Sequence, residues 1–136
     1  SRRIGLLSRR LVMDIAILAV AVGFTLMGLV ALARPASIGQ YFDVQFASVD
    51  GRNEVRAVYG GFGLAIGLAL WLATQVPELR AGVIACVALA LAGMAAGRLF
   101  SALLERSGFW PWVFCGIEAA AAALLAWTLG GAFPSN

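Results

Sequence analysis

Six of the polar residues within, or at the ends of, long apolar stretches of the sequence could form one site: Asn53, Glu54, Arg56, Tyr59, Arg98 and Glu118. Ionisable groups are costly inside hydrocarbon, so they usually pair with one another, line a polar cavity or bind a ligand. Carboxylates and guanidinium groups form strong paired hydrogen bonds with each other and with polar ligands. We therefore treat these residues as a candidate ligand-binding or polar network.

The composition excludes several other kinds of chemistry. The sequence contains no histidine, and all ten basic residues are arginine. A catalytic imidazole and a histidine metal site are therefore excluded. The two cysteines are far apart in the sequence, and the glycines of residues 60–67 lack the following Lys-Ser/Thr of a phosphate-binding loop. We predict no catalytic residues, no metal and no cofactor.

The overall composition indicates a membrane protein. Of the 136 residues, 62% are hydrophobic and 12% are charged, and the mean hydropathy is +0.91. Soluble domains are only about 45–50% apolar. A helix needs about 20 apolar residues to cross a bilayer, and the segments that qualify are about 11–33, 53–73, 81–104 and 109–130. We predict an all-α, integral membrane, antiparallel four-helix bundle that forms one domain over residues 11–130.

The arginines predict how this bundle lies in the membrane, because arginine near the ends of spans favours the cytoplasmic side. Residues 1–10 contain four arginines and are predicted to be a basic cytoplasmic tail. One predicted side carries Arg2, Arg3, Arg9, Arg10 and Arg80, and the other carries Arg34, Arg52 and Arg106. We predict that both termini are cytoplasmic, in a bacterial cytoplasmic (inner) membrane. These arginines also account for the net charge of +3, so nucleic acid is not an expected partner.

The second predicted span joins the charged residues to a stripe of glycines. At about 100° per residue, one helix face carries Asn53, Arg56, Gly60, Gly63 and Gly67. A face without side chains lets a neighbouring helix approach closely. The spacing of Gly93 and Gly97 predicts a second close contact of this kind in the third span.

The connection between the first two spans, residues 34–53, mixes aromatic with acidic side chains. We expect it to lie along the membrane interface or to cover the bundle. Arg34-Pro35 should end the first helix, and Asp50-Gly51 or Asn53 should cap the second. Near the start of the first span, Asp14 is expected to make a favourable contact with the dipole at the helix N-terminus and to be available for pairing with Arg9 or Arg10.

Alternating spans bring the charged residues of the last three helices into the same outer half of the bundle. The tight turn over residues 105–108 makes the third and fourth spans a hairpin, in which Glu118 lies about one turn deeper than Arg98. We predict an ion pair between them, because an unpaired charge at this depth costs several kcal/mol. Glu54 and Arg56 point to different helix faces and should reach different partners.

Three interpretations of this polar set remain open. The charges could neutralise one another and fix the helix register, with Tyr59 as a hydrogen-bond donor. They could line a pocket, covered by residues 34–53, that holds the head group of an amphipathic ligand. Glu118 or Glu54 could instead act as a general acid or base.

The block Asn53-Glu54-x-Arg56-x-x-Tyr59-Gly60-Gly61, followed by Gly97-Arg98 and by Glu118 in the last span, resembles a bacterial family of small four-helix membrane proteins of unknown function. That family is similar to the DoxX-like proteins, a group that includes subunits associated with quinone-linked oxidoreductases. The resemblance covers residues 12–130 and implies a four-helix bundle in which these polar residues are shared. One departure is Glu105-Arg106-Ser107-Gly108, where relatives tend toward Asp-Gly.

We therefore expect a non-catalytic multi-pass membrane protein with one of two roles. It binds a lipid- or quinone-like molecule, or it acts as an accessory subunit of a larger membrane protein complex. The alternative is a small membrane enzyme that uses Glu118 or Glu54 as a general acid or base.

Overall fold

The computed structural model describes residues 2–130, so Ser1 of the predicted tail and residues 131–136 lie outside the described residues. Within that range all regular secondary structure is helical. The elements are α1 (Arg2–Ala33), α2 (Pro35–Gln40), α3 (Val49–Val55), a π-helical segment (Arg56–Gly61), α4 (Phe62–Gln75), α5 (Pro77–Leu104) and α6 (Phe109–Leu129). The predicted all-α class is confirmed.

Four helical stretches of the described chain are long and apolar enough to cross a membrane. They are Arg3–Ala33, Val49–Gln75, Pro77–Leu104 and Phe109–Leu129. The second stretch runs through α3, the π-helical segment and α4. Each stretch overlaps one of the segments expected from the sequence, and together they indicate a multi-pass membrane protein. The bundle arrangement, the single four-span domain and the cytoplasmic placement of the termini stay predictions.

The first helix is longer than the predicted span, because the arginine-rich segment is helical from Arg2 onwards. Arginine and leucine are good helix formers, and the segment contains no proline. The other end of α1 lies where the sequence predicts. The helix ends at Ala33, Arg34 has a non-helical backbone with φ of −137° and ψ of 66°, and Pro35 begins α2, because proline disfavours the helical conformation in the residue before it.

The second span begins at Val49, earlier than predicted, and the prediction that Asp50-Gly51 or Asn53 caps it is wrong. Ser48 is the N-cap, and its side-chain oxygen accepts a hydrogen bond of 2.9 Å from the backbone N–H of Gly51. Serine is a strong N-cap residue, and Asp50 in the first turn is favourable near the helix N-terminus. The charged block 52–56 therefore lies inside the helix and not at its first turn.

The chain divides into two compact units. One comprises Ser1–Val20 together with Leu70–Asn136, and the other is Ala21–Ala69. In the first unit, α5 and α6 pack extensively against each other, and its largest fully buried side chains are Ile17, Leu70, Ile84, Leu125 and Thr128. In the second unit, the aromatic residues of the connection pack onto a small core. That core comprises Ala31, Ile38 and Val55, with Phe42, Phe46 and Tyr59 against it.

Gly60, Gly63 and Gly67 of the second span lie against α1, as the stripe predicts. A Cβ added to Gly67 would lie 3.1 Å from the carbonyl oxygen of Ala21, and one added to Gly63 would lie 3.3 Å from the Cα of Gly28. A Cβ on Gly28 would in turn lie 2.9 Å from the carbonyl oxygen of Gly60. Any larger residue would force these two helices apart.

The second glycine pattern behaves differently. A Cβ added to Gly93 or to Gly97 would meet no atom within 4 Å. The prediction of a close helix contact at these two residues is therefore wrong for the described part of the chain. The spacing of two glycines permits close approach, but a neighbouring helix must also face them.

This contrast allows a matched test of helix packing. We expect Gly63→Leu to lower the free energy of unfolding by about 1–3 kcal/mol, because the new side chain meets backbone atoms of α1. Gly93→Leu makes the same chemical change where there is open space, so its effect should be much smaller. Thermal unfolding of the two variants and the wild type in the same detergent measures the difference. Equal melting temperatures for the two variants would contradict the close packing at Gly63.

Candidate functional site

The predicted ion pair between Arg98 and Glu118 is present and has a forked geometry. Arg98 lies on α5 and donates from Nε to Oε2 of Glu118 and from Nη2 to Oε1, each at 2.8 Å. Both carboxylate oxygens of Glu118, on α6, are therefore engaged by one planar guanidinium group. Such bidentate pairs are the strongest hydrogen-bonded charge pairs in proteins.

The pair is shielded from solvent, most strongly at the carboxylate. The side chain of Glu118 is 8% exposed, whereas that of Arg98 is 24% exposed. The ring of Phe114 lies under the guanidinium carbon of Arg98, at 5.4 Å from the ring centroid, where cation–π attraction adds to the pairing. Phe114 is one turn before Glu118 on the same helix, and this spacing was the sequence signal that could have identified it.

A cleft of about 370 Å³ opens beside the ion pair. Its lining residues are Met94, Gly97, Arg98, Ser101, Ser107 and Pro111. Met94, Gly97, Arg98 and Ser101 follow the i, i+3, i+4, i+7 spacing of one helix face. The cleft thus combines apolar walls with two serine side chains and part of the Arg98 side chain. Sequence reasoning missed both serines, although the spacing of Ser101 from Arg98 would have indicated it.

The other predicted site residues belong to the second unit. Arg56 donates from Nε to the backbone carbonyl oxygen of Leu32, at 3.1 Å. That carbonyl is among the last of α1, where helix carbonyls lack helical partners and a positive charge is favourable. Tyr59 packs against the core around Val55.

Asn53 and Glu54 are exposed on α3. The structure therefore brings Arg98 together with Glu118 and gives Arg56 a role at the end of α1. The membership of Asn53, Glu54, Arg56 and Tyr59 in one network with the ion pair stays a prediction.

The charged block runs directly into the π-helical segment, which sequence reasoning did not identify. The backbone N–H of Phe62 donates to the carbonyl of Ala57, which is the i→i−5 pattern of a π-helix. Single π turns inside α-helices are frequent at functional sites. The consecutive glycines Gly60 and Gly61 were the only local signal for it.

A second ion pair corrects one prediction. Asp14 on α1 accepts a hydrogen bond from Nη1 of Arg80 on α5, and not from Arg9 or Arg10, which are exposed. Arg80, and not Arg9 or Arg10, pairs with Asp14 because it comes from a neighbouring helix that packs against α1. Its side chain is 12% exposed, so leaving its charge unpaired would be more costly than leaving a solvated arginine unpaired.

Comparison with known protein families assigns the chain. The model of a family described as a domain of unknown function (DUF4345) matches residues 12–129. The chain belongs to the DUF4345 family. Comparisons with curated proteins and with solved structures give no match. Membership of DUF4345 assigns no reaction, and the expected likeness to the DoxX-like proteins is not shown by this match and stays a prediction. Among the described residues, no three His, Cys, Asp or Glu side chains form a group that could hold a metal ion.

The forked pair can be tested with a double-mutant cycle. We expect Arg98→Ala and Glu118→Ala each to lower the free energy of unfolding by about 3–5 kcal/mol, because each leaves the other charge buried and uncompensated. The double variant should lose less than the sum of the two single losses.

The measurement is unfolding of the four proteins in one detergent. Arg106→Ala is the control, because Arg106 is exposed and its removal should change stability by about 0.5 kcal/mol or less. Strictly additive losses from Arg98→Ala and Glu118→Ala would show that the two side chains do not stabilise each other.

Proposed function

We propose that the protein is a non-catalytic multi-pass protein of a bacterial cytoplasmic membrane, with both termini cytoplasmic, that binds a lipid- or quinone-like molecule beside Arg98 and Glu118. The observation that carries this proposal is the cleft that opens at a shielded ion pair within otherwise apolar helices. Ionisable residues at such positions usually serve a ligand or a transport path.

The chemistry of the cleft favours a neutral polar head group over a charged one. Glu118 already neutralises Arg98 through two hydrogen bonds, so the pair as a whole carries no net charge. The hydroxyl groups of Ser101 and Ser107 lie at the same cleft and can donate to a carbonyl oxygen. A quinone ring or the ester carbonyl of a lipid has acceptors of this kind.

An apolar tail would also find a suitable surface. Met94 and Pro111 provide the apolar walls of the cleft, and Met94 is 48% exposed. Exposed large apolar side chains on a membrane-spanning helix face lipid or an apolar partner. A molecule with a short polar head and a long hydrocarbon tail therefore matches the surroundings of the cleft.

The geometry of Glu118 gives less support to an enzyme. Both of its oxygens accept hydrogen bonds from Arg98 and its side chain is only 8% exposed, whereas a general base must be within hydrogen-bond reach of the proton that it removes. Glu54, the other carboxylate considered, is exposed on α3. A binding role is compatible with the forked pair as it stands, because the hydrogen bonds between Arg98 and Glu118 need not break.

Gly97 provides a direct test of the binding proposal. We expect Gly97→Leu to fill the cleft and to weaken binding of a short-chain ubiquinone analogue at least about tenfold. Quenching of the protein's tryptophan fluorescence by the analogue measures this affinity. Native mass spectrometry of the purified wild type should also show a co-purified lipophilic molecule that this variant has lost.

Gly93→Leu is the matched control. It lies one turn earlier on α5, has equal open space and does not line the cleft. Its side chain would point toward the helix N-terminus and away from Arg98. Equal quinone affinity in the wild type and both variants would refute the site. A stoichiometric co-purified protein, with no bound small molecule, would favour the accessory subunit instead.

A further inference from the structure

A second cleft, of about 380 Å³, lies at the opposite end of α5 from the forked pair. Arginine side chains from two helices line it: Arg9 and Arg10 from α1, and Arg80 from α5. The remaining lining residues are Leu6, Met13, Pro77 and Ala81, which are all apolar. All of these residues belong to the same compact unit.

Arg80, which lines this cleft, has one buried donor that makes no hydrogen bond. Arg80 employs Nη1 to bind Asp14, but its second terminal nitrogen, Nη2, is buried and has no hydrogen-bond partner among residues 2–130. A buried donor without an acceptor costs free energy that an added acceptor recovers. The ion pair with Asp14 also holds the guanidinium of Arg80, a residue that lines the cleft, so this group is positioned before any ligand arrives.

The charge at the cleft is strongly positive. Arg9, Arg10 and Arg80 contribute three positive charges, and Asp14 offsets one of them. The first turn of α5 begins at Pro77, and its helix dipole adds a partial positive charge at the same place. Glu78 in that turn is exposed and does not line the cleft. This balance favours an anion, in contrast to the neutral ion pair near Ser101.

We propose that this cleft binds the phosphate group of an anionic glycerophospholipid. Guanidinium groups match the geometry of phosphate oxygens, and several of them around one cleft neutralise a phosphodiester. Basic pockets at the ends of membrane-spanning helices are suited to such head groups.

The surroundings favour a lipid over a free phosphate ion. The cleft has apolar walls, and one of the residues that form them, Leu6, is 69% exposed. Acyl chains attached to a phosphate in the cleft would cover this apolar surface, and burying it is favourable. An inorganic phosphate ion would leave that surface uncovered.

The test uses the purified full-length chain in a neutral detergent, titrated with phosphatidylglycerol or phosphatidylcholine and followed by native mass spectrometry of bound lipid. We expect tighter binding of phosphatidylglycerol. Arg10→Gln should weaken it about fivefold, and the double variant Arg9→Gln/Arg10→Gln about 25-fold, since each arginine near a lipid head group contributes about this factor. Both residues are exposed, so the variants should melt at the wild-type temperature.

Arg3→Gln is the matched control, because it removes the same charge from an exposed position on α1 that does not line the cleft. Its affinity for phosphatidylglycerol should equal that of the wild type. Equal losses in Arg3→Gln and Arg10→Gln, or equal affinity for the two lipids, would overturn the proposal. Inorganic phosphate that binds as tightly as phosphatidylglycerol would overturn the assignment to a lipid, because acyl chains would then contribute nothing.

Discussion

The forked ion pair between Arg98 and Glu118 sets the relation of α5 to α6. Glu118 is shielded on an apolar helix, and a carboxylate in that position is tolerated only with its charge compensated and its oxygens hydrogen-bonded. Arg98 satisfies both requirements with one planar group. A shift of either helix by one turn would separate the two side chains, so the pair fixes both the rotation and the height of one helix against the other.

At the other end of α5, Arg80 and Asp14 impose the same condition on α1. At 1.5 Å per residue the two arginines are about 27 Å apart, which is close to the roughly 30 Å thickness of a bilayer's hydrocarbon core.

The two clefts at these arginines differ in one respect that decides their chemistry. At Arg98 the guanidinium is fully matched by one carboxylate, and the additional polar groups are hydroxyls. At Arg80 the carboxylate takes only one of the terminal nitrogens, and two more arginines stand nearby. The first environment suits a neutral acceptor and the second an anion. Residues of the same type, on the same helix, thus serve different ligands because their neighbours balance the charge differently.

Much of the helical content and the central ion pair could be predicted from the sequence, because both follow from strong and local rules. Long apolar segments must form helices to satisfy their backbone groups, and a tight turn between two of them brings Arg98 within about one turn of Glu118, an offset that an arginine side chain can span. The features that were missed depend on which surfaces meet. Asp14 could have reached several arginines, and only the packing of α5 decides for Arg80. Gly63 and Gly93 have similar local sequence patterns, yet only Gly63 faces another backbone. The serine cap at the start of α3 was missed because the apolar pattern, used to place the helix, starts later than the helix itself.

The π-helical segment at Arg56–Gly61 has a consequence for how this span could vary among relatives. A turn with i→i−5 hydrogen bonds contains one residue more than an α-helix would use over the same height. That surplus residue rotates everything before it by about 100° relative to everything after it. Deleting one residue here would restore an ordinary helix, but it would swing Arg56 away from the carbonyl of Leu32 while Gly63 and Gly67 stayed against α1. The number of residues in this short stretch therefore determines how the helix before it is rotated relative to the helix after it. Relatives that keep both contacts must keep the same number of residues between them.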